Sequence, residues 1–141
     1  MDHLAILSKE NNFLGKILTG EKTIESRWYV NRKSPFKTIA PDDTVYFKES
    51  GEPVVAKATV ASVMFFEDLD QKKIAGIISD YGPKIGIDIS YIANVIGKRF
   101  CTLIFLKDVK KVRPFSVDKT GYGNMVAWIT VENIDQIRLR K

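Results

Sequence analysis

Gly20-Glu21-Lys22-Thr23-Ile24-Glu25-Ser26-Arg27 joins a helical pattern to an extended one, and the rest of the chain is organised around that junction. Upstream, Phe13, Leu14, Ile17 and Leu18 recur at helical spacing, Ser8 stands where a cap would start the helix, and Gly20 sits where a helix C-terminus takes a left-handed residue. Downstream, residues 23 to 29 are rich in β-branched and aromatic types, which predicts a strand. Alternation then puts Ile24, Ser26 and Trp28 on one face and Thr23, Glu25, Arg27 and Tyr29 on the other. Glu25 and Arg27 share a face, and the long stem of Lys22 lets its ammonium reach back over it.

Working outward, residues 3 to 7 read as an opening strand. Residues 30 to 43 have the composition of a loop and carry Arg32, Lys33 and Lys37, which with Arg27 form a cationic cluster beside the signature strand. Residues 44 to 48 alternate as a strand, 49 to 53 form a hairpin-type turn, and 54 to 66 predict a long, strongly curved strand whose Ala56, Ala58 and Val60 share one parity. The period then changes. Residues 67 to 80, with Leu69, Ile74, Ile77 and Ile78 after an acidic start, predict an amphipathic helix stopped by Gly82-Pro83. A second short helix is expected over 90 to 96, ended by Gly97. Residues 99 to 112 return to a nearly continuous apolar strand pattern, central in the sheet, which Arg113-Pro114 is expected to stop. After a loop holding Ser116, Lys119, Gly121, Tyr122, Gly123 and Asn124, residues 125 to 131 and 134 to 140 are expected to complete the strands.

Composition narrows the function classes. The 141 residues, 45% hydrophobic and 28% charged, describe one globular domain over 1–141 with a real core. No run approaches the ~18 apolar residues of a membrane span, and the start lacks the features of a signal peptide, so a cytoplasmic protein without a membrane partner is expected. His3 is the sole histidine and Cys101 the sole cysteine, which removes His-based triads, zinc clusters and intramolecular disulfides; no metal and no cofactor are expected. The net charge of +5 is unevenly placed, since residues 98 to 141 hold ten Lys and Arg against four Asp and Glu. A phosphate-contacting surface would give that pattern, and so would a solvated basic face.

The junction stretch resembles the signature of the ASCH domain family, relatives of the PUA-like RNA-binding folds, whose pattern GxKxxExR is met by Gly20, Lys22, Glu25 and Arg27. The resemblance implies an α+β domain, a small, mostly antiparallel, PUA-like β-barrel with helices packed at its ends. It also implies a function in binding RNA or a modified nucleotide, in a cleft lined by the signature, with basic loops on the phosphates. Site residues would be Lys22, Glu25, Arg27, Trp28, Arg32, Lys33, Tyr122 and Asn124, with Trp28 and Trp128 as candidate stacking surfaces.

Some proteins of this architecture are amidohydrolases acting on acylated cytidines, or ribonucleases. Hydrolysis using Lys22 and Glu25 is therefore the alternative. Glu25 stands where the small amidohydrolase branch places its threonine nucleophile, and Thr23 lies two residues early, so that reaction lacks its nucleophile here. A ribonuclease would draw on Lys22 with Tyr29 or Tyr122 and Ser116. A third reading is a protein-interaction module with no ligand, favoured if the cleft proves filled by its own side chains; Glu25 and Arg27 could also pair only to fix the barrel. On the binding reading, Lys22→Ala and Glu25→Gln should weaken ligand binding and leave stability little changed.

Overall fold

The structure is a computed structural model that describes residues 1–123 and 125–139. Its elements follow in the order β1 (Asp2–Leu7), α1 (Phe13–Thr19), β2 (Ile24–Tyr29), β3 (Thr44–Glu49), β4 (Val54–Phe66), α2 (Gln71–Ile85), α3 (Ile92–Val95), β5 (Phe100–Phe115) and β6 (Trp128–Val131). One six-stranded sheet runs β2-β5-β4-β3-β1-β6. The pairing of β1 with β3 is parallel and the others among the described residues are antiparallel. The sheet curls far enough that Arg27 on β2 reaches the main chain of Ile6 on β1 and of Ala127 beside β6, so the two ends of the strand order meet without pairing. This is a half-barrel with an open seam, α+β as expected.

Patterning explains the curl. Ala56, Ala58 and Val60 of β4 face inward and are buried with Ala5, Val45, Phe47 and Ile104, and the register between β4 and β5 shifts at three places. Small inward residues and bulges are what let a long strand bend. Leu14 and Ile17 of α1 close this inner core. A second core lies on the outer face, where Ile24, Trp28, Cys101 and Leu103 meet Leu69 and the Ile74, Ile77, Ile78 and Ile85 face of α2. The Cys101 thiol is buried there, and burial pushes its pKa far up. A third core joins Leu4, Ile6, Ile129 and Val131 to Phe115, Ile134 and Ile137.

Four expectations are corrected. Gly82-Pro83 does not stop α2, which starts at Gln71 behind the Asp70 cap and runs on to Ile85, ending at Gly86 in the left-handed region (φ 86°). A proline in the last turn forfeits one helical hydrogen bond, and carrying the apolar face on to buried Ile85 offsets it. Arg113-Pro114 does not stop β5, because beyond Phe105 that strand pairs with β4 alone and Pro114 falls in a register shift between the Lys111 and Phe115 pairings, where a ladder N–H is not required. Ser8 does not cap α1: it accepts from the Glu10 N–H in the turn ahead of a 3-10 segment at Glu10–Asn12, and α1 begins only after that segment. Residues 134 to 136 form a 3-10 turn capped by Asn133, not a strand, and Arg138 contributes an isolated bridge to Val117; the rest of that expected strand, Arg140, lies outside the described residues.

Candidate functional site

Glu25 and Arg27 point to the inner side of β2, and Lys22 arrives from the turn that Gly20 (φ 84°) makes at the end of α1. Lys22 is 1% exposed and Glu25 3%. Nζ of Lys22 donates to the carbonyl of Ile24 at 2.8 Å and of Ile85 at 2.7 Å, and meets Oε1 of Glu25 at 3.1 Å. Three acceptors around one nitrogen call for three donors, so the charged ammonium is the form that fits. Ile85 is the last residue of α2, and a cation there also meets the negative end of the helix. Phe13 covers Nζ at 4.8 Å from its ring centroid.

Glu25 is saturated as well. Its Oε1 also accepts the Ser26 N–H at 3.1 Å, and its Oε2 accepts from Arg27 at 2.9 Å. Burial alone would raise the Glu25 pKa, but the adjacent Lys22 and Arg27 charges outweigh it and hold the carboxyl below its ordinary range. Burial draws the Lys22 pKa down against the pull of Glu25. The guanidinium of Arg27 crosses the seam, donating to the Ala127 carbonyl at 3.1 Å and the Ile6 carbonyl at 3.2 Å, and lies over the Trp128 ring at 5.2 Å. Trp128 is held in turn by its indole N–H, which donates to His3 Nδ1 at 3.2 Å, while His3 Nε2 meets Asp43 at 2.8 Å. His3 is thus a buried core histidine.

Beside this cluster the seam opens into a cleft of about 260 Å³. Its walls come from Ile6, Leu7 and Ser8 after β1, from Phe13, from Ser26 to Tyr29 on β2, from Tyr91, Asn94, Val95 and Lys98 around α3, and from Ala127. The helical segment between β4 and β5 therefore forms one wall.

The structure brings Lys22, Glu25, Arg27 and Trp28 to this cleft, and Lys33 to its edge, where its ammonium lies 4.5 Å from the centroid of the Tyr29 ring. Arg32 pairs with Glu67 at 3.2 Å and covers Phe36. The Trp28 side chain is buried in the outer core and Trp128 beneath Arg27, so neither presents a free face. Tyr122 is exposed and does not line the cleft, and neither do Thr23 or Ser116. Asn124 lies outside the described residues. Sequence reasoning missed Tyr91, Asn94, Lys98 and Phe13. Lys98 had a signal, standing just after the Gly97 that ends α3 and just before β5; the others carry none of their own. It also missed Lys48, buried on β3, whose pKa is lowered by burial and by Lys119.

No protein-family model matches this chain and no curated protein does. Solved structures do. A crystal structure of an ASCH protein from Zymomonas mobilis superposes with a TM-score of 0.67 at 17% identity, covering 96% of this chain and 90% of that one. Two mutants of that protein give 0.70 at 17% identity, covering 96% and 93%, and 0.69 at 16%, covering 96% and 91%. The half-barrel with its helical wall is a PUA-like architecture. Within that class the chain has the ASCH fold.

Proposed function

We propose that the seam cleft binds a single nucleobase-bearing ligand, a free nucleotide or an unpaired nucleotide of RNA, with its phosphate at the cationic mouth. The observation that carries this reading is the cleft's lining: Phe13, Tyr29 and Tyr91 offer aromatic surface, Asn94 and Ser8 offer neutral polar groups, and Lys98 supplies a cation with Lys33 close by. Aromatic walls with a few polar groups are what a planar base needs, and stacking contributes about 1–3 kcal/mol per base. About 260 Å³ suits one base better than an oligonucleotide.

Lys22 and Glu25 serve this site as a floor. Their hydrogen-bonding capacity is spent inside the protein, and a carboxyl held below its ordinary range is a poor proton shuttle near neutral pH, which favours binding over hydrolysis. The ligand would meet Lys98, Lys33, Asn94 and the aromatic walls first.

Titration of the four nucleoside monophosphates and of a short single-stranded RNA, at several salt concentrations, tests the reading. Binding is expected to weaken with salt at a log-log slope of about 0.7 per phosphate neutralised, with only one or two phosphates counted. Lys98→Glu should weaken it at least tenfold. No binding at low salt, or affinity indifferent to both salt and Lys98, would sink the proposal.

A further inference from the structure

β2 pairs with β5 on one side and borders the seam on the other. The unshifted register fixes where its main chain points. The carbonyls of Thr23 and Tyr29 turn toward β5 and accept from the N–H groups of Leu106 and Arg99, so the alternate residues Ile24, Ser26 and Trp28 turn their N–H and C=O toward the seam. The ion cluster uses two of these groups: the Ile24 carbonyl accepts from Lys22 and the Ser26 N–H donates to Glu25. The Ser26 carbonyl and the Trp28 N–H have no partner among the described residues, and both residues line the cleft. Since the Trp28 side chain is packed in the outer core, its main chain is the part left to face a ligand.

An acceptor at one residue and a donor two residues on is the pair that an added strand would use. The seam does not admit a strand, because the Arg27 guanidinium spans it to Ile6 and Ala127, and the open edge beside the cleft is the short stretch from the Ser26 carbonyl to Trp28. The edge of a planar heterocycle fits that length. We infer that the base in the cleft is read by the main chain of β2, the Ser26 carbonyl accepting an N–H of the base and the Trp28 N–H donating to the adjacent ring nitrogen or carbonyl oxygen. This rests on the nucleobase reading of the cleft.

Each nucleobase carries a donor beside an acceptor on its Watson–Crick edge, and in a duplex that edge is already taken. The site therefore takes an unpaired base, and it rejects one whose edge is blocked by a ring-nitrogen methyl group.

The test follows the Trp28 amide by NMR during titration with AMP, CMP, GMP and UMP, and with the same four methylated at N1 (purines) or N3 (pyrimidines). With a bound monophosphate, the Trp28 amide proton should move downfield and exchange with solvent at least tenfold more slowly, and the methylated counterpart should bind at least tenfold more weakly. If the amides around Lys98 report binding while that of Trp28 does not move, or if methylation leaves affinity unchanged, the main-chain reading falls and the cleft's ligand class stands. If none of the four monophosphates binds, both fall together.

Discussion

Two regions of this molecule are crowded with cations, and they treat them in opposite ways. At the seam, Lys22 and Arg27 surround one carboxylate, with Lys22 and Glu25 fully buried and nearly every donor matched to an acceptor. Along the far half of β5, Lys107, Lys110, Lys111 and Arg113 stand exposed, and Lys57 of β4 is directly opposite Lys110 with no acid between them. The buried set holds geometry, tying α2, β1 and β2 to one point. The exposed set has a different physical reason. Beyond Phe105 the strand is a sheet edge, and lysines, bulges and Pro114 are the devices that keep an edge from pairing with another chain. Of the basic residues in the last third of the chain, Lys98 thus stands at the cleft, while Lys107, Lys110, Lys111 and Arg113 belong to an edge strand guarded against aggregation.

The contrast breaks first at Glu25. Glu25→Ala leaves Lys22 and Arg27 buried without their anion and should destabilise the protein by about 3–5 kcal/mol in urea unfolding, as loss of one partner of a buried pair does. Burial of both groups likewise reverses the expectation from sequence alone that Lys22→Ala and Glu25→Gln leave stability little changed. A loss below about 1 kcal/mol would mean that water reaches the cluster freely.

Acid should act next, most strongly through the buried His3 and Glu25. His3 has its pKa lowered below 6.5 by burial, against the pull of Asp43, so below pH 6.5 the unfolded chain takes up a proton that the folded one resists, and stability falls from there toward the folded-state value. Glu25 is held below 4.5 in the fold, so its contribution is whole above pH 4.5 and is lost as pH drops through the folded value. Urea midpoints measured from pH 7 to 3 should decline in those two stages. His3→Gln should remove the first stage alone, whatever its effect at neutral pH.

The smallest effects belong to the edge. Lys110→Glu, placing a carboxylate opposite Lys57, should change stability by about 0.2–1 kcal/mol in the favourable direction and fade at high salt. Nucleotide affinity should hardly respond, whereas Lys98→Glu should lower it. Pro114→Val restores an N–H to the irregular stretch of this edge strand and should leave stability within ~0.5 kcal/mol, while light scattering at high concentration rises.

Much of this fold was legible because it is written in periods. The strands at 24 to 29, 44 to 49 and 54 to 66, the helical excursion before residue 100 and the inward Ala56, Ala58 and Val60 follow from alternation and composition. The mistakes cluster at prolines and at the C-terminal end. Pro83 and Pro114 read locally as stops, and only their surroundings made them harmless: a helix's last turn in one case, a bulged stretch of an edge strand in the other. Residues 134 to 136, expected as strand, form a capped 3-10 turn instead, and the three-residue spacing of the buried Ile134 and Ile137 fits that turn.

The sequence by itself determined which side chains meet at the signature, since a glycine-ended helix followed by an alternating strand puts Lys22, Glu25 and Arg27 on one side whatever the rest of the chain does. Only the tertiary structure decided what those charges are for. Whether Lys22 faces a ligand or a carbonyl depends on Ile85, sixty-three residues away, and whether Arg27 is free depends on Ile6 and on Ala127, a hundred residues on. Local pattern sets direction, but desolvation and hydrogen-bond saturation are set by whatever long-range neighbour closes over the group. The curl of the sheet brought those neighbours in, buried the cluster, and left an open seam with Tyr91, Asn94 and Lys98 as its far wall.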